Sequence, residues 1–143
     1  MPIETVIART EGQRAQCFAI RHSVFVEEQD VPLDLEMDEY DAAATHFLLL
    51  EDGEPLATAR LLDKQGSAKI GRVAVRPEAR GRGLGRVLMQ AVLDEARRQG
   101  FGSAVLDSQT YAIPFYARLG FVAEGDEFDD AGIPHRLMRR ALG

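Results

Sequence analysis

The chain reads as an α+β domain, a central mixed and mostly antiparallel sheet flanked by helices. Three observations predict it. Three strand-like runs between residues 46 and 75 are separated only by short turns, which makes an antiparallel meander. Residues 84–98 carry apolar side chains at a helical period, closed by Gly100. All of this lies within 143 residues that are 45% hydrophobic and carry no linker, repeat or low-complexity tract, so residues 1–143 form one domain with apolar side chains enough for a core.

Taken in order, residues 3–9 alternate loosely and predict an opening strand. Residues 11–26 place Ala15, Phe18, Ala19, Val24 and Phe25 at helical spacing. From Glu27 to Asp41 comes an acidic stretch without a single base, with Pro32 inside it, which reads as a loop with one short turn. His46–Leu50, Leu56–Leu62 and Lys69–Val75 are the meander, and Pro77 ends the last strand because it has no N–H for the ladder. The helix 84–98 follows, then a buried strand at Ala104–Leu106. A short helix from Thr110 to Leu119 stops at Gly120. Phe121–Phe128 and His135–Ala141 close the chain as a strand pair across the turn 129–133.

Composition removes several classes of function. A single Cys17 excludes an internal disulfide and any zinc site built from several thiolates, and no metal site is expected. No apolar run approaches the ~20 residues that span a bilayer, and the start lacks the basic-then-apolar pattern of a secretory leader. The expectation is a cytoplasmic protein with no membrane partner. A net charge of −6 argues against nucleic acid. The charge is uneven, however: residues 1–71 hold 14 acidic and 6 basic side chains, and residues 72–143 hold 9 and 11. One half suits a cationic ligand and the other an anionic one.

The chemistry concentrates where strand Lys69–Val75 runs through Arg76-Pro-Glu-Ala-Arg80-Gly81-Arg82-Gly83-Leu84-Gly85 into the long helix. A helix N-terminus exposes unpaired N–H groups and the positive end of the macrodipole. Glycines let phosphate oxygens approach the backbone. Arg80, Arg82 and Arg86 add charge at the same point, and guanidinium fits phosphate geometry. These features indicate a pyrophosphate. No Gly-Lys-Ser/Thr follows, so this is not a Walker loop. The alternating glycines and the preceding meander do not fit the dinucleotide fingerprint either.

Here the chain resembles the GNAT superfamily of acyl-CoA N-acyltransferases. The likeness rests on Arg80-x-x-Gly83-x-Gly85, entered through Gly71-Arg-Val-Ala-Val-Arg-Pro77, and on Phe115-Tyr116-Ala-Arg-Leu-Gly120-Phe121. The stretches Arg21-His22-Ser-Val-Phe25-Val-Glu27-Glu28-Gln29 and Gly132-Ile-Pro-His135-Arg-Leu-Met138 are similar to the ElaA-like branch.

The resemblance implies a twisted sheet splayed beside the strand Val73-Ala74-Val75. The edge of that strand would pair with pantetheine amides, and Leu106-Asp107 would form the other wall. The amides of Arg80, Gly81, Arg82, Gly83, Leu84 and Gly85 would hold the pyrophosphate, with Arg86 beside them and Gln109 as a pantetheine contact. Tyr116 occupies the general-acid position. The implied reaction is direct acetyl transfer from acetyl-CoA, as co-substrate, to an amine. The amine must lose a proton, and the oxyanion needs a donor near Val73 or Ala74. Candidates on the acceptor side are His22, Glu27, Glu28 and His135. The acidic stretch would either focus an amine or lie solvated at the surface. Cys17, among apolar neighbours, reads as a core residue, and His46 as structural. The resemblance also admits a homodimer through the C-terminal strands. The competing readings are a non-catalytic acyl-CoA-binding or sensing domain and, on the arginines at 72, 76, 80, 82 and 86, a nucleic-acid module.

Overall fold

The computed structural model describes residues 2–143. Strands β1 (Ile3–Ile7), β2 (Thr45–Glu51), β3 (Glu54–Lys64), β4 (Ser67–Val75), β5 (Ser103–Gln109), β6 (Val122–Asp130) and β7 (Ile133–Ala141) form one sheet in the order β1-β2-β3-β4-β5-β7-β6. Every pairing is antiparallel except β4 with β5. The α+β reading and the order of elements hold.

Two helices pack on opposite faces. Helix α1 (Glu11–Arg21) starts at a capping box, where Thr10 Oγ1 accepts from the Gln13 N–H at 3.1 Å and Gln13 reaches back to the Thr10 N–H. It buries Cys17 and Ile20, which join Leu48 and Ala74 in one apolar cluster. On the other face, helix α3 (Leu84–Arg98) buries Leu84, Leu88, Met89, Val92, Leu93 and Ala96 against Phe47, Leu49, Ile70 and Leu106. Val87, although apolar and one turn from Leu84, is exposed, because the contact face lies further round the helix through Met89 and Leu93. The second cluster closes with helix α4 (Ile113–Arg118), preceded by a 3₁₀ turn and ended by Gly120 at φ 90°.

The structure departs from the sequence expectation in three places. The helix expected over 11–26 changes character at His22, and His22–Glu28 turns as a π-helix. The acidic stretch is not a plain loop: it holds the short helix α2 (Leu33–Glu36) and a 3₁₀ turn at Glu39–Ala42. The last two strands extend further than expected and meet at a two-residue turn, Ala131-Gly132, both at positive φ as a tight hairpin requires. Among the described residues, no helix is long and apolar enough to cross a membrane.

Candidate active site

The parallel contact between β4 and β5 is short. It runs only from Ala68 opposite Ala104 to Ile70 opposite Leu106. Beyond that point β4 continues to Val75 and β5 to Gln109, each held by its outer neighbour, and the inner edges part. A bulge helps to turn β4 away. Between Ala74, opposite Thr58, and Gly71, opposite Arg60, β4 has two residues where β3 has one. Arg72 sits in that bulge at φ 52°, a left-handed conformation that costs a non-glycine residue about 1 kcal/mol. Its guanidinium is tied down in return, donating to the carbonyls of Leu35 and Glu36 and to Asp38 at 3.0–3.2 Å.

The glycine-rich segment after β4 opens α3 as the sequence led one to expect. Gly83 is the N-cap at φ 77°, with no side chain capping the helix. Among the described residues, none of the backbone N–H groups from Gly81 to Arg86 donates to another protein atom; the bonds nearest this stretch are those of the Arg80 and Val87 N–H groups. A row of unpaired donors therefore stands at the positive end of a 15-residue helix. Gly85 has a different role: a Cβ there would stand 3.2 Å from Cζ of Phe115, so its absence lets α3 start against α4.

Two of the three arginines around this loop are already paired. Arg80 makes a two-pronged ion pair with Glu28, both contacts at 2.6 Å, and its Nε donates to the Val75 carbonyl at 3.0 Å. Arg82 pairs with Glu51. The Arg80 guanidinium holds the Glu28 carboxyl below its usual range, and Arg82 does the same to Glu51. Glu28, expected on the acceptor side, is thereby turned to the glycine-rich loop. Arg86 has no ion-pair partner among the described residues.

A cavity of about 640 Å³ opens where the strands part. Ile70 and Leu106, which pack towards α3, line it together with Lys69, Asp107, Gln109 and His135 from the other face, so it reaches through the sheet. Lys69 and Asp107 pair at 2.7 Å across its walls. Gln109 donates to Gln29 Oε1 at 2.9 Å, linking β5 to the end of the π-helix. Tyr116 is 9% exposed and borders the cavity from α4, edge-on to Phe115 and Phe121. Burial pushes its phenol well above the ordinary value, with the nearby Tyr111 contributing, so it stays protonated at neutral pH. His135, 8% exposed, lines the same space. Tyr111 and Tyr40 are exposed residues bordering it.

Other sequence candidates fall elsewhere. His22 and Glu27 pair with each other at 3.1 Å, are 49% and 66% exposed, and do not line the cavity. Five residues apart, they are one turn of the π-helix, which puts both on its outer side. Cys17 is fully buried, and burial pushes its thiol pKa up. His46 is buried, donating through Nε2 to the Asp41 carbonyl at 2.8 Å.

The acidic stretch divides: Asp30, Asp34 and Glu39 lie exposed at the surface, whereas Glu36, Asp38 and Asp41 turn inward to arginines. Arg21, without solvent exposure, binds Glu36 and Asp41; Arg60 binds Asp38 and Asp41; Arg72 binds Asp38. Three carboxylates and three guanidiniums thus neutralise one another, with Glu36, Asp38, Arg60 and Arg72 in the wall of the cavity and Arg21 and Asp41 behind it. Burial disfavours the Asp41 carboxylate, but hydrogen bonds from Arg21, the Asp38 N–H and Arg60 outweigh it and hold the group well below its usual range. One signal for this was present in the sequence: Arg21 falls at the spacing of Cys17, Ile20 and Val24, on the buried face of the first helix.

Residues 10–142 match the family model described as an acetyltransferase (GNAT) domain. The chain belongs to the GNAT family. A curated relative from Bacillus subtilis (strain 168), the uncharacterized N-acetyltransferase YjcF, is 36% identical over 139 residues, covering 96% of this chain and 99% of that one. The crystal structure of an acyl-CoA N-acyltransferase from Pseudomonas aeruginosa is similar at TM-score 0.89 and 34% identity, covering 98% of this chain and 100% of the other. That of Escherichia coli ElaA is similar at TM-score 0.87 and 27% identity, covering 97% and 99%. This GNAT domain is an acyltransferase, with acyl-CoA as one substrate and an acceptor as the other.

Proposed function

We propose that this GNAT protein transfers the acetyl group of acetyl-CoA directly to a primary amine, of a small molecule or a protein, within a ternary complex. The observation that carries the reading is the parting of β4 and β5 beyond Ile70 and Leu106, beside a helix start whose amides are unpaired. A pantetheine arm has the length and amide groups to lie as a strand against the free edge of Val73, Ala74 and Val75, with Gln109 opposite. The amides of Gly81 to Gly85 take the diphosphate, and Arg80, Arg82 and Arg86 are within the same neighbourhood. Arg80 serves there on exchanging Glu28 for phosphate.

The acceptor occupies the cavity. As its nitrogen attacks the thioester carbon, the oxyanion takes a hydrogen bond from the Val73 or Ala74 N–H at the bulge. Tyr116, whose raised pKa keeps its phenol loaded, donates to the sulfur as the C–S bond breaks. No covalent enzyme intermediate is needed, and the buried Cys17 is not placed to form one.

Tyr116→Phe tests the reading. Acetyl-CoA affinity by calorimetry is retained, and CoA release with an amine panel falls by about 100-fold. An unchanged rate removes Tyr116 from the reaction. Absence of acetyl-CoA binding by the wild type, seen as no thermal stabilisation at saturating ligand, removes the donor assignment.

A further inference from the structure

His135 has the arrangement of a base. Its Nδ1 lies 2.7 Å from the carbonyl oxygen of Ile133. A carbonyl can only accept, so Nδ1 carries the hydrogen, and the neutral ring presents its lone pair at Nε2. The ring is held at both levels. It stacks on Phe128 across the hairpin, 5.9 Å between centroids at 23°, and its backbone pairs with Gln109 at the end of β5. Nε2 has no hydrogen-bond partner among the described residues, and the side chain lines the cavity with Tyr116 and Val73. Neither of the other histidines is so placed. His22 is outside the cavity, and the Nδ1 of His46 is buried without a partner.

We propose that His135 Nε2 is the general base that takes the proton from the acceptor ammonium; this rests on the transferase reading above. The charged groups sharing the walls are Asp107, bound to Lys69, Asp130 at the hairpin, Asp63, Lys64, and the mutually paired Glu36, Asp38, Arg60 and Arg72, with the Tyr116 and Tyr111 phenols beside them. Five carboxylates against four basic side chains leave this space only slightly favourable to a cation. The proton moves to Nε2, and the freed nitrogen pair forms the C–N bond while the carbonyl pair moves onto oxygen. On collapse the C–S bond breaks and sulfur leaves with its pair, receiving the Tyr116 proton. The proton shed by the new amide nitrogen returns through water to Tyr116, and the imidazolium releases its own to solvent. The sum is ammonium and thioester giving amide, thiol and one proton.

The test uses His135→Asn, because the Asn amide can still donate to the Ile133 carbonyl but offers nothing at the Nε2 position. CoA release is measured at pH 7 with two probes, butylamine, which is protonated there, and hydroxylamine, which is neutral. The base role predicts a loss of about 100-fold in kcat/KM with butylamine, and a loss at least tenfold smaller with hydroxylamine. Equal losses with both amines, or none with either, overturn it. Nitrogen-15 spectra of the wild type give a second readout independent of the variant: a neutral His135 ring protonated on Nδ1 supports the proposal, and one protonated on Nε2 overturns it. Wild-type protein that binds acetyl-CoA but shows no contrast between the variant's two losses condemns the base alone. Wild-type protein that neither binds acetyl-CoA nor releases CoA with either amine overturns both this and the transferase reading.

Discussion

The two ends of the cleft are built on different principles. At the end proposed to hold the diphosphate, the features lie within residues 76–86: a strand exit, two glycines at positive φ, and a helix start with unpaired amides. The backbone is the working part. At the end proposed for the acceptor, side chains are the working part, and their partners come from α1, β3 and β4. Arg21 reaches Glu36 and Asp41 over 15 and 20 residues of chain, Arg60 reaches Asp38 over 22, and Arg72 reaches Asp38 over 34. A binding surface made of main-chain donors depends on local conformation. One made of buried charges depends on the whole fold closing around it.

That contrast can be broken first at its most buried point. Arg21→Met leaves Glu36 and Asp41 without their principal partner in a site with almost no solvent. Unfolding stability should fall by about 3–5 kcal/mol in a urea titration. A loss below 1 kcal/mol would mean that the acidic segment holds itself in place. Gly83→Ala probes the donor end. No protein atom stands within 4 Å of a Cβ there, so the cost arises from φ 77° and from the repositioned amides. The expected result is about 1–2 kcal/mol of stability and roughly tenfold weaker acetyl-CoA binding by calorimetry. Full retention of affinity would dissociate the helix start from the diphosphate. The smallest effect sharpens the boundary between the two ends. Glu28→Gln releases Arg80, and acetyl-CoA binding should tighten by roughly threefold, more at low salt, with stability within about 0.5 kcal/mol because the pair is exposed. Unchanged affinity would show that Arg80 stays on the protein when the donor is bound.

Local reading served the fold well, because the order of elements is written in periodicity and punctuation. Thr10 with Gln13, the stripe from Leu84 to Ala96, and Gly100 and Gly120 are each sufficient to start, orient or stop an element. The candidate site was legible in proportion to how much of it is backbone. Gly83 and Gly85 could be placed from the sequence. The charges of Arg80 and Arg82 could be located but not their engagement, since Glu28 and Glu51 lie 52 and 31 residues away. Glu27 and His22 looked like acceptor-side groups until the π-helix turned them outward. Nothing in the local spacing distinguishes Gln29, yet it bridges to Gln109 over 80 residues.

The amino-acid order alone determined the succession of the main strands and helices, and that one helix would open with bare N–H groups behind flexible glycines. Dihedral preference and apolar spacing act over a few residues, so no distant contact is needed to set them. The closing of the sheet decided the rest: that β4 and β5 part after three paired residues, that six opposite charges cancel beside the cavity, and that His135 rather than His22 or His46 looks into it. Burial and ion pairing are properties of the space around a group, and that space is made by segments far apart in the chain.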